Sequence, residues 1–399
     1  MTANTSNPGI PRRTQVVIVG GGPAGLLLGQ LLHRSGIEAV LLERRSRAYV
    51  LGRIRAGVLE SGSVSILREA GVGDRLDQEG IPHDGCFLSF ANKGFRVDFA
   101  GLAGRSVTVY GQTEITADLY AARSRSGATT VHGVEDVTLG DIDTASPHVS
   151  FVTESREHRI DCDIVAGCDG FHGVSRKSIP LDSMTQFERV YPFGWLGVLS
   201  ETPPVSDELV YANHERGFAL CSMRNPQLSR YYIQVGLAER LEDWPDARFW
   251  DELRRRIPAA AAAELVTGDS IEKSIAPLRS FVAEPMSWGR LFLAGDAAHI
   301  VPPTGAKGLN LAIADVRYLH EAIVGFFTGD PTVLDTYSDT ALSRVWNAVR
   351  FSWWMTNTLH RYPDQTEFDQ RMQETELAYL SGSTSAQRVL AENYTGLPL

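Results

Sequence analysis

Several things are scarce in this sequence, and each scarcity excludes a class. Among 399 residues there are four cysteines, Cys86, Cys162, Cys168 and Cys221. None forms C-x-x-C, and no His/Cys cluster has zinc-ligand spacing, so no metal site is expected. The four thiols read as buried and reduced, as in a cytoplasmic protein. There is no basic excess: the formal net charge is −10. That argues against a general nucleic-acid binder but allows a local basic pocket for a small anion. No stretch approaches the roughly 18 consecutive apolar residues of a membrane span. The N-terminal "MTANTSNPGIPRR" lacks the apolar core of a secretory signal and reads as a short disordered extension. Internal repeats and low-complexity linkers are absent too. The chain is long for one core, so two or three interleaved subdomains are expected.

What is present begins with a βαβ unit. "QVVIV" (15–19) is a short β-branched strand, "GGGPAG" follows, "LLLGQLLHRSG" is an apolar helix stopped at Gly36, and "EAVLLE" is a second strand. Gly20, Gly22 and Gly25 form G-x-G-x-x-G, and Glu43 lies at the end of the second strand, 18 positions past Gly25. Gly20 permits the tight turn, Gly22 the approach of backbone to a pyrophosphate, and Gly25 close helix–strand packing; Glu43 can accept both ribose hydroxyl hydrogens. This pattern serves FAD and NAD alike. Two later loops favour FAD: "AGCDGFHGVSR", with Asp169 after a strand, and "LFLAGDAAHIVPPTGAKGLNLAIAD", with Asp296 at a strand end before a Pro/Gly turn and a helix near Gly308.

Residues 186–237 are rich in aromatic and β-branched types and read as a mostly antiparallel sheet, 244–265 as helical, and 333 onward as helical with a loop near Pro363. Within the sheet, "GFALCSMR" and "SRYYIQV" flank an Asn225-Pro226 turn as a hairpin. Alternation along strands puts Ser222 and Arg224 on one face, and Arg230 and Tyr232 on one face of the partner. If both faces coincide, two guanidiniums, a hydroxyl and a phenol converge. A solvated arginine remains the alternative, above all for Arg230.

Longer motifs carry a resemblance. "GRIRAGVLE" (52–60), "TVYGQTE" (108–114), "DCDIVAGCDGFHG" (161–173), "VYPFGWLG" (190–197), "YANHERGFALCSMR" (211–224), "SIAPLRSF" (274–281), "RFSWWMT" (350–356) and "AENYTGLP" (391–398) cover nearly the whole chain from Thr14. Together they resemble the flavin-dependent aromatic hydroxylases, and among them the 4-hydroxybenzoate 3-monooxygenases. The resemblance implies a mixed α/β fold. A Rossmann-like FAD-binding domain (1–185) would be completed by a C-terminal helical and interface region (279–399), with an inserted, mostly antiparallel substrate sheet (186–278). It implies a homodimer, and hydroxylation of a small aromatic acid ortho to its phenol through a flavin C4a-hydroperoxide. The consumables are NAD(P)H and O2. Another ring acid (3-hydroxybenzoate, salicylate or 4-aminobenzoate) or a non-catalytic flavoprotein stays open as an alternative.

By the same resemblance, Ser222, Arg224 and Tyr232 hold the substrate carboxylate, with Pro303 and Thr304 beside the reacting ring position. Tyr211, Tyr394 and His83 relay the phenol proton, the carbonyl of Pro303 helping at the hydroxyl. FAD contacts fall to Gly20, Gly22, Gly25, Glu43, Arg44, Arg53, Arg55, Gln112, Asp169, Arg230 and Asp296, and to the helix start at Gly308, Leu309 and Asn310. Here Asp296 meets the ribityl chain, and backbone amides face the flavin ring. A second G-x-G-x-x-G is absent, so the nicotinamide nucleotide visits transiently, at Arg44, Arg53, His172 and Arg279. The arginines of 43–55 suit a 2′-phosphate and favour NADPH over NADH. Gly21, where the family often has alanine, is expected to loosen the turn slightly.

Overall fold

The computed structural model describes residues 9–52 and 57–398. Its first layer is a six-stranded sheet ordered Ser287–Trp288, Leu291–Leu293, Ile164–Gly167, Val16–Val19, Ala39–Glu43, Thr130–His132. All pairs are parallel except the first, which is a short hairpin edge. The central strand Val16–Val19 is buried along its whole length, as a parallel strand covered on both faces must be. The helix Pro23–Arg34 leaves it with nine of twelve residues buried and packs against the helices Gln112–Ser126 and Gly308–Phe327. This is a doubly wound dinucleotide-binding layer, with the glycine loop at the carboxyl ends of the strands.

The second layer is an eight-stranded, mostly antiparallel sheet: His299–Ile300, Ser270–Glu284, Thr185–Ser200, Leu228–Gly236, Ala219–Asn225, Leu209–Ala212, Gly85–Phe90, Lys93–Asp98. The expected limits of 186 and 278 do not coincide with its edges. Two strands come from before residue 100, and Gly85–Phe90 joins Leu209–Ala212 in the sheet's one parallel pair. A sheet edge leaves backbone groups unpaired, and here sequence-distant segments pair them. Strand periodicity cannot foretell that choice. The hairpin forms as expected. Its turn is Pro226–Gln227, closed by the Gln227 N–H donating to Asn225 Oδ1 at 2.8 Å.

The two faces of this sheet have different partners. One packs Val198, Val210, Cys221, Tyr231 and Ile233 against Phe249, Trp250 and Leu253 of the helix Asp246–Arg256. The other packs Trp195, Tyr211 and Leu220 against Phe351, Met355, Leu390 and Tyr394 of the C-terminal helices Val333–Leu359 and Thr384–Thr395. The four cysteines are all buried and free, and burial pushes each thiol well above its ordinary pKa. Among the described residues, no helix is long and apolar enough to cross a membrane.

Candidate active site

The glycine loop has the geometry its residue types require. Gly20 sits at φ +111°, and a Cβ there would stand 2.3 Å from the carbonyl oxygen of Cys168. At Gly25 an added Cβ would be 2.0 Å from the Gly20 oxygen, whereas at Gly22 it would meet nothing within 4 Å. Two glycines are thus demanded by the protein itself, and the third faces open space, where a pyrophosphate fits. Glu43 is buried. Its carboxylate oxygens accept from Gly21 N and Arg45 N, both at 2.7 Å. Each oxygen keeps a lone pair for a ribose hydroxyl. Gly21 does not loosen the turn: a methyl there would press on Glu43 Cβ at 2.9 Å, so glycine gives the carboxylate its place.

Asp169 follows the strand Ile164–Gly167 and touches Gly20. Its Oδ2 accepts from Ser175 N at 2.9 Å, and its Oδ1 is buried without a partner. Burial raises its pKa despite the Ser175 contacts. Asp296 is exposed in the turn that follows Leu291–Leu293. At the start of Gly308–Phe327, the first intrahelical bond of the turn runs from Leu311 N to Lys307 O, and no side chain caps the helix. The N–H groups of Gly308, Leu309 and Asn310 precede that bond, the arrangement that favours an anion or an electron-rich ring edge. The Asn310 side chain is fully used. Its Oδ1 accepts from Glu60 N and Ser63 Oγ, and its Nδ2 donates to Val58 O and Ala306 O. Only its backbone remains for a ligand. Gln112 starts the helix Gln112–Ser126, half-buried.

On the sheet, register decides the convergence. Ser222 pairs with Arg230, and Leu220 with both Tyr232 and Tyr211. Ser222, Arg230, Tyr232 and Tyr211 therefore share a face, with Arg224 two residues on across a bulge. Gly197 pairs with Tyr232 on the next strand. A Cβ there would strike Tyr232 and Arg230 at 2.8 Å, so the glycine clears the floor.

The two arginines are not equivalent. Arg230 gives its two terminal nitrogens to Glu272 and Ser274 Oγ and lies over the Tyr232 ring, its buried Nε without a partner among the described residues. Arg224 donates to the Met223 carbonyl at 3.1 Å and lies within hydrogen-bonding reach of the Tyr232 side chain. Its Nε is buried without a partner, and it pairs with no carboxylate among the described residues. Burial pulls its pKa down, Arg230 adding to the effect and Tyr232 opposing it. A half-buried guanidinium with a buried, unmatched Nε calls for an anion. Ser222 Oγ donates to Arg230 O at 2.7 Å, so it must turn to give its hydrogen to a carboxylate.

At the other end, the hydroxyls of Tyr211 and Tyr394 stand 2.5 Å apart, both fully buried. Burial raises both pKa values above the ordinary phenol range; the reference near 10 expected for a relay is exceeded, so both rest neutral. Tyr394 stacks on Phe99 at 4.8 Å, and Phe99 N donates to the carbonyl of Asp84, next to His83. His83 is buried, both ring nitrogens lack a partner among the described residues, and burial lowers its pKa. Pro303 is exposed and its carbonyl accepts from Ala306 N; Thr304 is buried and its hydroxyl meets Thr356 Oγ1 at 3.0 Å. His172 and Arg279 both lie against the Phe171 ring, and Arg279 also pairs with Glu188. Arg44 is exposed; Arg53 and Arg55 lie outside the described residues.

Comparisons with known proteins agree with this geometry. The sequence profile described as FAD binding domain matches residues 13–352. The p-hydroxybenzoate hydroxylase of Acinetobacter baylyi is 55% identical over 388 residues, covering 97% of this chain and 96% of its own. The chain belongs to the p-hydroxybenzoate hydroxylase family. More distant members of the wider group include a 3-(3-hydroxy-phenyl)propionate/3-hydroxycinnamic acid hydroxylase of Burkholderia vietnamiensis. It is 26% identical over 82% of this chain and 59% of its own. The solved p-nitrophenol 4-monooxygenase of Pseudomonas putida shares the fold at TM-score 0.83, with 18% identity, across 98% of this chain and all of its own. The family is one of FAD enzymes, and the glycine loop, Glu43 and the helix start at Gly308 fit that cofactor.

Reading the sequence missed Lys307, Glu60, Glu272, and the His299–Asp315 pair, whose 2.6 Å contact is wholly buried and whose Asp315 also accepts from Gly295 N. One signal was readable: Lys307 stands alone in an otherwise uncharged run between Asp296 and Asp315.

Proposed function

We propose that this protein is a monooxygenase that converts 4-hydroxybenzoate, NAD(P)H, a proton and O2 into 3,4-dihydroxybenzoate, NAD(P)+ and water. The observation that carries the reading is one sheet face with an anion-seeking Arg224 at one end and the buried Tyr211–Tyr394 pair at the other. That polarity matches a ring with a carboxylate and a para hydroxyl. Bound FAD, reduced by the nicotinamide, supplies the activated oxygen.

The chain's own residues then do the following. Arg224 takes the carboxylate, with Ser222 and Tyr232 adding hydrogen bonds. The substrate phenol gives its proton to Tyr211 as Tyr211 passes its own to Tyr394 and Tyr394 releases its own toward His83. Since burial keeps both tyrosines neutral, the negative charge ends on the substrate ring, which activates the carbon ortho to the oxygen. His83, kept neutral by burial, accepts the outgoing proton and hands it to solvent. Pro303 and Thr304 border the reacting carbon. Amides at Gly308–Asn310 favour negative charge at the flavin. His172 and Arg279 receive the visiting nucleotide. The exposed arginines at 44, 45 and 47 support a preference for NADPH; steady-state rates with both nucleotides test it, and faster turnover with NADH rejects it.

The helix Glu367–Gly382 buries only Leu377 and Leu380, leaving Phe368 70% and Tyr379 62% exposed with Met372 between them. That face supports a homodimer, in keeping with the family resemblance, and a cytoplasmic protein is the matching setting.

The deciding experiment is product analysis with FAD, NADPH, air and 4-hydroxybenzoate. Formation of 3,4-dihydroxybenzoate in step with NADPH consumption is expected. Peroxide without product means another ring acid is the substrate, and no consumption with either nucleotide rejects the enzyme reading.

A further inference from the structure

Tyr394 lies at the end of the helix Thr384–Thr395, one residue from where the chain leaves it. The segment after it has no regular structure, yet every carbonyl from Gly396 to Pro398 is held by an arginine. Arg105 donates to Gly396 O at 2.7 Å, and Arg344 Nη1 donates to Leu397 O at 2.9 Å and Pro398 O at 3.0 Å. The carbonyl of Tyr394 itself accepts from Lys307 Nζ at 2.9 Å. Lys307 and Arg344 share one anion. Glu60 accepts from Lys307 at 2.6 Å and from Arg344 Nη2 at 2.8 Å, and all three side chains are largely buried. Glu60 N in turn donates to Asn310 Oδ1 at the start of the flavin-facing helix. Gly396, at φ +101°, has its Cα against Glu60: a Cβ there would be 2.3 Å from Oε2.

We propose that Arg344 and Arg105 are positioning residues. They clamp the segment after Tyr394, and through it hold the Tyr394 hydroxyl against Tyr211. Neither arginine touches the substrate; the role rests on the Tyr211–Tyr394 relay proposed above. The geometry argues for it in three ways. Three consecutive carbonyls in an irregular segment are each met by a guanidinium, which a tail merely lying on the surface does not require. The Arg344 fork splits its donors between the tail and Glu60, so it ties the tail to the flavin-side loop rather than to its own helix. A hydroxyl–hydroxyl contact of 2.5 Å tolerates little drift, and hydrogen-bond strength falls steeply with misalignment.

The test uses the full-length holoenzyme and the variants Arg105→Ala, Arg344→Lys, Arg344→Gln and Tyr394→Phe, with the double variant Arg105→Ala/Tyr394→Phe. Three quantities are read: the product formed per NADPH consumed, the phenolate absorbance of bound 4-hydroxybenzoate across pH, and hydrogen exchange of the peptide spanning 384–398. Arg105→Ala should leave substrate affinity within about twofold, because it touches no substrate group. Its C-terminal peptide should exchange about tenfold faster, the factor that losing one charge-assisted hydrogen bond gives. Product per NADPH should fall, and the phenolate should appear only at higher pH. Arg344→Lys keeps the pairing with Glu60 but loses the fork, so it should show the same signs more weakly than Arg344→Gln. The double variant should be no worse coupled than Tyr394→Phe alone, because the clamp acts through that hydroxyl. Unchanged exchange in both arginine variants overturns the clamp. Additive losses in the double variant overturn the positioning role, even if exchange rises. If Tyr394→Phe is itself fully coupled, the relay and the positioning role fall together, and the exchange data alone then judge the clamp.

Discussion

A buried hydroxyl pair and a guanidinium with no carboxylate partner among the described residues differ in what they do to a bound phenol acid, and single substitutions separate the two. Tyr211→Phe removes the proposed first proton acceptor and leaves the proposed carboxylate contact at Arg224 intact. Binding should persist while hydroxylation slows by about a hundredfold or more, the usual weight of a positioned acid–base group, and NADPH oxidation should continue into peroxide. Stopped-flow product yields check it; full coupling in this variant rules out the relay. Arg224→Gln does the opposite. It removes a charge-assisted contact of roughly 1.5 to 3 kcal/mol, so 4-hydroxybenzoate should bind at least tenfold more weakly, read by titration of flavin absorbance. Affinity unchanged in Arg224→Gln would place the carboxylate elsewhere. Arg230 should behave differently from Arg224, because Glu272 already neutralises it.

Among the elements, the strand–loop–helix start at Val16–Arg34 has the least freedom. Gly25→Ala puts a methyl 2.0 Å from the Gly20 carbonyl. Backbone cannot yield there without moving the helix off the central strand. We expect loss of FAD on purification and destabilisation of several kcal/mol, as overpacking against backbone produces; thermal denaturation with and without added FAD measures both. Among the described residues, Gly22→Ala meets no atom within 4 Å. It should leave the apoprotein as stable as the parent and weaken only FAD binding. A Gly22→Ala protein that holds FAD normally would mean the pyrophosphate does not lie over this loop. The contrast between the two glycines separates folding from ligand approach within one loop.

For the whole molecule, surface and pH are the levers. Phe368→Glu, on the exposed face of Glu367–Gly382, should convert a dimer to a monomer in sedimentation velocity with activity retained; a parent that sediments as a monomer rejects the dimer. Acid stability has a nameable source in Glu252. Burial alone would raise its carboxyl, but hydrogen bonds and charge from Arg216 and Arg256 outweigh that and hold its pKa below the ordinary value. A carboxyl depressed in the folded state contributes stability that is complete above its unfolded pKa of about 4.3 and is lost as pH falls through the folded value. Glu252→Gln should therefore lower Tm at pH 7, and the gap to the parent should narrow below about pH 4. A gap constant from pH 7 to pH 3 would show that the effect is packing, not charge.

The sequence alone determined whatever depends on neighbours in the chain. The G-x-G-x-x-G loop with Glu43, the hairpin around Asn225 and the alternation that aligns Ser222 with Arg224 follow from local sterics and strand period, and the long motifs placed the chain in its family. Packing decided the rest. Tyr211 and Tyr394 lie 183 residues apart in sequence, and nothing in either stretch encodes a 2.5 Å contact. It arises because the C-terminal helices cover one sheet face and not the other. The same holds for Arg230, whose partner Glu272 lies 42 positions on, and for the burial of His83 at the end of the short strand Ile81–His83. Glu60, Lys307 and Arg344 come from three remote segments, and their charges make sense only together. A buried ion is tolerable when its partners surround it, and which partners arrive is settled by the tertiary fold.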